Sequence, residues 1–254
     1  MRFLIIGIVL ALLMSSCTQY RKIVYLQDHN DQDTSFYVSK TPPYYLKPGD
    51  ILYIYLASIN QDVVNAFNIN RSNSNSTAYF SDASLYVNGY SVNDSGYVDI
   101  PIIGSVSVEG MTVSDARGAI QNRLDEFLKD ATAIVKLLSY KITILGEVSR
   151  PGVYTNYNEN ITVLEALAMA GDVTDYGNKT KVLVIRPKDN GSETFKLDLT
   201  DINILNSEGY HLIPNDIVYV KPVKTKAFRL NSPNISIILS MITTTIIVIN
   251  FISK

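Results

Sequence analysis

The chain has 254 residues, 46% of them hydrophobic and 18% charged, with a formal net charge of −2. A balance this close to neutral leaves no electrostatic footprint for nucleic acid. The single cysteine excludes an intramolecular disulfide and a zinc cluster built on thiolates.

Mean hydropathy is nonetheless positive, and its source is local. Two strongly apolar runs lie near the ends, and what separates them has ordinary globular composition. At about 100–200 residues per domain, that middle allows one large domain or two small ones.

The first residues are Met1-Arg2, an apolar run over 3–14, then Ser15-Ser16-Cys17. A basic start, an apolar stretch and small residues before a cut site have the anatomy of a secretory signal peptide. The apolar run spans only about 18 Å as a helix, too little to cross a bilayer comfortably. The sole cysteine follows directly, a placement that resembles the lipobox of bacterial lipoproteins. That resemblance implies a signal peptide over 1–16 and lipid attached to Cys17, although Met14 stands where Leu is more usual. With Thr18 and not Asp after the cysteine, lipoprotein sorting rules favour the outer membrane.

Residues 17–43 read as a lipidated N-terminus and a polar linker ending in Pro42-Pro43. Lys47-Pro48-Gly49-Asp50 is a turn sequence, and Ile51-Leu52-Tyr53-Ile54 after it reads as a strand. Tyr53 and Tyr55 share one face of that strand and are expected to pack in its core. The low-complexity stretch 68–77 reads as a surface loop. Strands are expected around 84–92, 97–100 and 106–108, a helix over 112–128 and a strand over 132–138. The pattern then repeats: a strand pair at 141–146 and 152–156, a helix over 163–170, and strands at 182–186, 194–197 and 217–220.

Two internal echoes support a pair of modules built alike. Pro214-Asn215-Asp216 before Ile217-Val218-Tyr219-Val220 repeats the earlier turn and strand. Thr112 and Thr162 each stand three residues before an acid, Asp115 and Glu165, the arrangement of a capping box. Gly171 is placed to end the second helix. One helix laid on a small mixed sheet is a β-grasp pattern.

Beyond a basic linker over 223–234 comes the second apolar run, 235–252, which would span about 27 Å as a helix, near the thickness of a thin bilayer. Ser236, Ser240, Thr243 and Asn250 fall in a sector of roughly 80° around it. That stripe suits either close helix packing or a lumen-facing surface, and both imply self-association.

Leu46-Lys47-Pro48-Gly49-Asp50-Ile51-Leu52 and Gly96-Tyr97-Val98-Asp99-Ile100-Pro101-Ile102-Ile103-Gly104 resemble the export domain of the bacterial outer-membrane polysaccharide-export lipoproteins. Ile144-Leu145-Gly146-Glu147-Val148, Arg150-Pro151-Gly152-Val153-Tyr154 and Leu164-Glu165-Ala166-Leu167-Ala168-Met169-Ala170-Gly171-Asp172 resemble that family's SLBB β-grasp module. The resemblance implies an α+β fold of two small β-rich modules, an export domain over 44–138 and an SLBB β-grasp domain over 139–222. An N-terminal lipoprotein signal and a C-terminal membrane-spanning helix over 235–252 would flank them.

It also implies a homo-oligomeric ring at the outer membrane, its domains in the periplasm. Fed by an inner-membrane co-polymerase, the ring would pass capsular or exopolysaccharide to the cell surface. On that reading the stripe of Ser236, Ser240, Thr243 and Asn250 would line the pore. A rival is a periplasmic glycan-binding or scaffold lipoprotein that does not itself form the pore.

Nothing in the sequence assembles an enzyme, a cofactor site or a metal site. The two histidines, His29 and His211, read as surface residues. Asp31-Gln32-Asp33 lacks the Gly and Glu of a calcium loop, and no Gly-rich loop carries the Lys-Ser/Thr of a phosphate site.

Overall fold

The computed structural model describes residues 22–28, 41–58, 89–226 and 235–252. The expected signal peptide, Cys17, His29, the stretch 68–77 and most of the basic linker lie outside the described residues.

The alternation after the Pro-Gly-Asp turn produces β1 (Ile51–Ser58), which buries Leu52, Ile54 and Leu56. β1 runs antiparallel between β2 (Tyr90–Ser91) and β5 (Ala131–Leu137). β3 (Tyr97–Ile100) and β4 (Gly104–Ser107) form a separate hairpin. Over the sheet lies α1 (Val113–Leu124), whose buried Ala116, Ile120 and Leu124 recur every fourth residue, one stripe of a helix. Each fully buried Leu or Ile here contributes about 1.5–3 kcal/mol.

Tyr53 and Tyr55 fall on the face of β1 opposite Leu52, Ile54 and Leu56 and are only half-buried. Their expected core role is therefore corrected: aliphatic side chains took the inner face. α1 also stops at Leu124 and not at 128. The N–H groups of Phe127 and Leu128 both donate back to Leu124 O at 2.9 Å, which tightens the chain into a turn.

The second module is a five-stranded mixed sheet in the order β10-β9-β12-β6-β7. Its strands are β6 (Lys141–Gly146), β7 (Gly152–Thr155), β9 (Gly177–Lys188), β10 (Gly191–Leu197) and β12 (Ile217–Pro222). β6 and β12 are parallel and central, as a β-grasp sheet requires. β8 (Ile161–Thr162) and β11 (His211–Leu212) pair beside α2 (Val163–Met169), which buries Val163, Ala166 and Leu167 against the sheet.

Both capping boxes are present, with Thr112 closing on Asp115 and Thr162 on Glu165. α2 ends where expected. The N–H of Gly171 donates to Ala168 O and that of Asp172 to Leu167 O, the paired bonds of a Schellman motif.

The Pro-Gly-Asp echo is a structural repeat. Asp50 N donates to Lys47 O and Asp216 N to Ile213 O, each at 3.1 Å, which closes two four-residue turns. The third residues, Gly49 and Asn215, have φ +89° and +70°, the left-handed conformation that a type II turn demands. In both turns the aspartate folds back, so that Asp50 accepts from Lys47 N and Asp216 from Ile213 N, each at 2.9 Å.

Asp216 is fully buried and faces the guanidinium of Arg186, itself buried, at 2.8 Å. Arg186 also donates to His211 O at 3.0 Å and lies over the Phe195 ring. Burial pushes the Asp216 carboxyl above its usual range, while the hydrogen bonds from Arg186 and from Ile213 N pull the other way.

Part of the expected linker is ordered on the second module. Leu26 N donates to Leu199 O at 3.0 Å and Gln27 N to Thr200 O at 2.7 Å, while Ile202 N returns a bond to Gln27 O at 3.2 Å. Tyr25 donates its hydroxyl to Asp172, and the Lys179 ammonium sits over the Tyr25 ring.

The terminal apolar run forms α3 (Ile235–Ile252). Among the described residues, however, no helix is long and apolar enough to cross a membrane. The C-terminal membrane-spanning helix expected from the sequence is thereby corrected. At 1.5 Å per residue α3 reaches only about 27 Å, short of a typical ~30 Å hydrocarbon core. Ser236, Ser240, Thr243, Thr244, Thr245 and Asn250 also dilute its apolar length. The fold is α+β with two β-rich modules, without that span.

Candidate functional site

The residues singled out from the sequence do not converge. Cys17 lies outside the described residues. Ser236, Ser240, Thr243 and Asn250 lie along α3, with Ser240, Thr243 and Asn250 exposed. The hydroxyls turn inward on the helix: Ser240 Oγ donates to Ile237 O at 2.8 Å and Thr243 Oγ1 to Leu239 O at 3.0 Å. Such back-bonding satisfies the hydroxyl locally and leaves less polarity to offer a neighbour.

A different place gathers chemistry, a groove of about 720 Å³ between the two modules. One wall is β5, which contributes 132–137. α1 adds its first turn and Arg117, and the turn at Ile213-Pro214 closes another side. The loop Tyr157-Asn158-Glu159-Asn160, between β7 and β8, forms the lip.

That loop is held from below. Asn156 is buried, and its N–H donates to Tyr140 O at 2.8 Å. Its side-chain amide donates to Asn158 O at 2.8 Å and accepts from Asn158 N at 3.1 Å. With its main chain fixed by one buried amide, the loop presents Tyr157 outward, 68% exposed.

Two phenols brace the groove. Tyr44 donates to Asp50 Oδ2 at 2.9 Å, and Ser139 Oγ donates to Asp50 Oδ1 at 3.1 Å, which ties the linker between modules to the first turn. Tyr140 donates to Leu212 O at 2.5 Å. Burial above all, and then the charges of Asp50 and Asp216 respectively, push both phenols well above their usual range, so both remain donors.

His211 is half-buried, unlike the surface residue expected. Its Nδ1 is buried without a hydrogen-bond partner, and its ring meets Tyr210 edge-on at 5.2 Å. Burial holds its pKa below 6.5, opposed by the charge of Glu165. Among the described residues lining the groove, Glu159 is the sole carboxylate, so the pair a glycosidase requires is not assembled there.

The polysaccharide biosynthesis/export protein family matches residues 38–138, which take in the first module, and the SLBB domain family matches 140–220, the second. The chain thus carries a polysaccharide biosynthesis/export segment followed directly by an SLBB segment. Among its relatives, the EPS I polysaccharide export outer membrane protein EpsA of Ralstonia nicotianae is 28% identical over 162 residues, 62% of this chain and 42% of that protein. EpsA of Ralstonia solanacearum is 28% identical over 158 residues, 61% of this chain and 42% of its own length. The exopolysaccharide production protein ExoF of Rhizobium meliloti is 32% identical over 94 residues, 35% of this chain and 22% of that protein. The matched region thus spans less than half of each relative.

The groove lies at the junction of the two matched segments. Sequence reasoning passed over its lip. The one available signal was the polar and aromatic run Asn156-Tyr157-Asn158-Glu159-Asn160 between a strand and a helix.

Proposed function

We propose that the chain is the outer-membrane component of an exopolysaccharide export apparatus, with its two β-rich modules in the periplasm. The observation that carries the reading is that both family segments occur in order, each on a separately cored module. The names of the EpsA proteins, which place them in the outer membrane and in polysaccharide export, support it.

In the finer form of this reading, lipid on Cys17 holds the N-terminus at the membrane. Copies of the chain associate into a conduit, and an inner-membrane co-polymerase delivers the glycan. The large apolar side chains of α3, such as Met241, Ile247 and Phe251, are more than half exposed and offer copies a surface to associate through.

Deleting the gene and staining the cell surface for polysaccharide tests the export reading, which requires loss of surface material with accumulation inside the envelope. Unchanged surface polysaccharide refutes it. The mass of the detergent-extracted protein tests the conduit, which requires several times the mass of one mature, lipid-bearing subunit. The alternative is a periplasmic glycan-binding or scaffold lipoprotein, favoured by the lack of a membrane-crossing helix among the described residues. It predicts a monomer or small assembly in that measurement.

A further inference from the structure

The groove between the modules has a volume within the ~300–1,000 Å³ typical of ligand sites, and its lining distinguishes between classes of occupant. One wall is the outer edge of β5, the kind of surface that recruits an added peptide strand. That edge is half closed. Gln121 of α1 donates from Nε2 to Ala131 O at 2.9 Å and accepts at Oε1 from Ala133 N at 2.8 Å. Leu138 N donates to Ile51 O, so the even-numbered residues of β5 face β1 and the odd-numbered ones face outward. With Ala131 O and Ala133 N taken by Gln121, only Val135 and Leu137 keep both outward backbone groups for pairing with a newcomer. Two residues are too few to hold a strand in register, and a peptide added by its backbone is disfavoured.

The rest of the lining suits a different ligand. Tyr157 offers an exposed ring on a loop that Asn156 has already fixed, so little order is lost when the ring is covered. Beside it stand the exposed Asn158, Glu159 and Asn160, with the exposed Arg117 and Lys136 on the facing wall. A flat aromatic face flanked by amides, a carboxylate and cations matches a chain of sugar rings, apolar on their C–H faces and rimmed with hydroxyls.

We propose that the groove between the modules is a glycan-binding site that takes a short stretch of polysaccharide, one ring stacked on Tyr157 and its hydroxyls held by Asn158, Glu159 and Asn160. The proposal rests on the export reading for the identity of the glycan. It assigns the contact between carrier and cargo to a place at the junction of two modules.

The test uses the full chain in detergent and, as probe, oligosaccharides released by mild acid from the producing cell's own surface polysaccharide. Binding is measured by titration calorimetry for the wild type, Tyr157→Ala and Tyr97→Ala. Tyr97 is 41% exposed on β3, away from the groove, and serves as the control. The expected result is at least a tenfold weaker Kd for Tyr157→Ala, an unchanged Kd for Tyr97→Ala, and thermal midpoints equal to wild type in both. No binding by the wild type, or equal binding by Tyr157→Ala, overturns the proposal. So does a Tyr157→Ala protein that binds normally but changes its assembly mass, since the groove is then a contact between copies. Surface polysaccharide in the deletion strain separates the two levels: its loss upholds the export reading even where groove variants bind and export normally.

Discussion

Replacing Arg186 with Met would leave Asp216 buried without its counter-charge. The carboxylate would lose guanidinium contacts at 2.8, 3.1 and 3.3 Å and keep the single Ile213 N–H at 2.9 Å. His211 O would lose its donor as well. Removing one partner of a buried pair costs about 3–5 kcal/mol, because the remaining charge has neither water nor a partner. That is a large part of the ~5–15 kcal/mol by which folded domains exceed their unfolded state. The double variant Arg186→Met/Asp216→Asn keeps an acceptor for Ile213 N and removes the charge, so it should recover most of the loss.

The pH dependence has a definite sign. Burial already lifts the folded Asp216 above its usual 3.8, and removing Arg186 lifts it further. A carboxyl whose folded pKa exceeds its unfolded one favours folding when protonated and loses that contribution as pH rises. The deficit of Arg186→Met relative to wild type should therefore be smaller near about pH 4.5 than near about pH 8. Urea unfolding of the full chain, followed by circular dichroism at both values, measures it. A deficit under about 1 kcal/mol, or one equal at the two pH values, would refute the account of Asp216 as a charge that needs its partner.

Three further outcomes follow from local geometry. His211 titrates below 6.5 in the fold, so the unfolded chain takes up the proton first; urea midpoints should fall as pH drops through about 6.5, and His211→Gln should flatten that slope. Thr112→Ala and Thr162→Ala each remove a capping box, and each should cost about 0.5–2 kcal/mol, read from the same unfolding curves. Gly146 has φ +91°, and a Cβ there would lie 2.1 Å from Val220 O on the neighbouring parallel strand. Gly146→Ala should cost at least about 2 kcal/mol, with a matching loss of amide protection along β6 and β12.

What the sequence made legible was what short-range chemistry decides. Thr112 with Asp115 and Thr162 with Glu165 span a single helical turn, so the spacing alone placed two helix starts. The Pro-Gly-Asp and Pro-Asn-Asp echoes marked two turns, although the backward reach of Asp50 and Asp216 was not drawn from them. Long-range pairing was out of reach: Arg186 and Asp216 lie 30 positions apart, and nothing local joins them. Polar composition made residues 22–28 read as linker, whereas backbone bonds to Leu199 and Thr200 decide their place. Apolar content made 235–252 read as a bilayer span, where length and its polar residues weigh against one. The groove was hidden for the same reason as the ion pair, since its lining comes from five separated stretches of chain.

The docked segment 22–28 changes which module bears load. The chain enters along the second module through Leu26 and Gln27, departs to build the first module, returns, and leaves again beside Glu147, where Lys226 pairs with it and Val223 N bonds Tyr176 O. Mechanically, the first module is an excursion spliced between two stretches anchored to the second. Tension applied at the two ends passes through the fastenings at Leu199, Thr200 and Glu147 and across the five-stranded sheet. The first module hangs outside that line of force, held to its neighbour by the Lys47–Asp189 pair and by the bonds of Ser139 to Asp50 and Ile51.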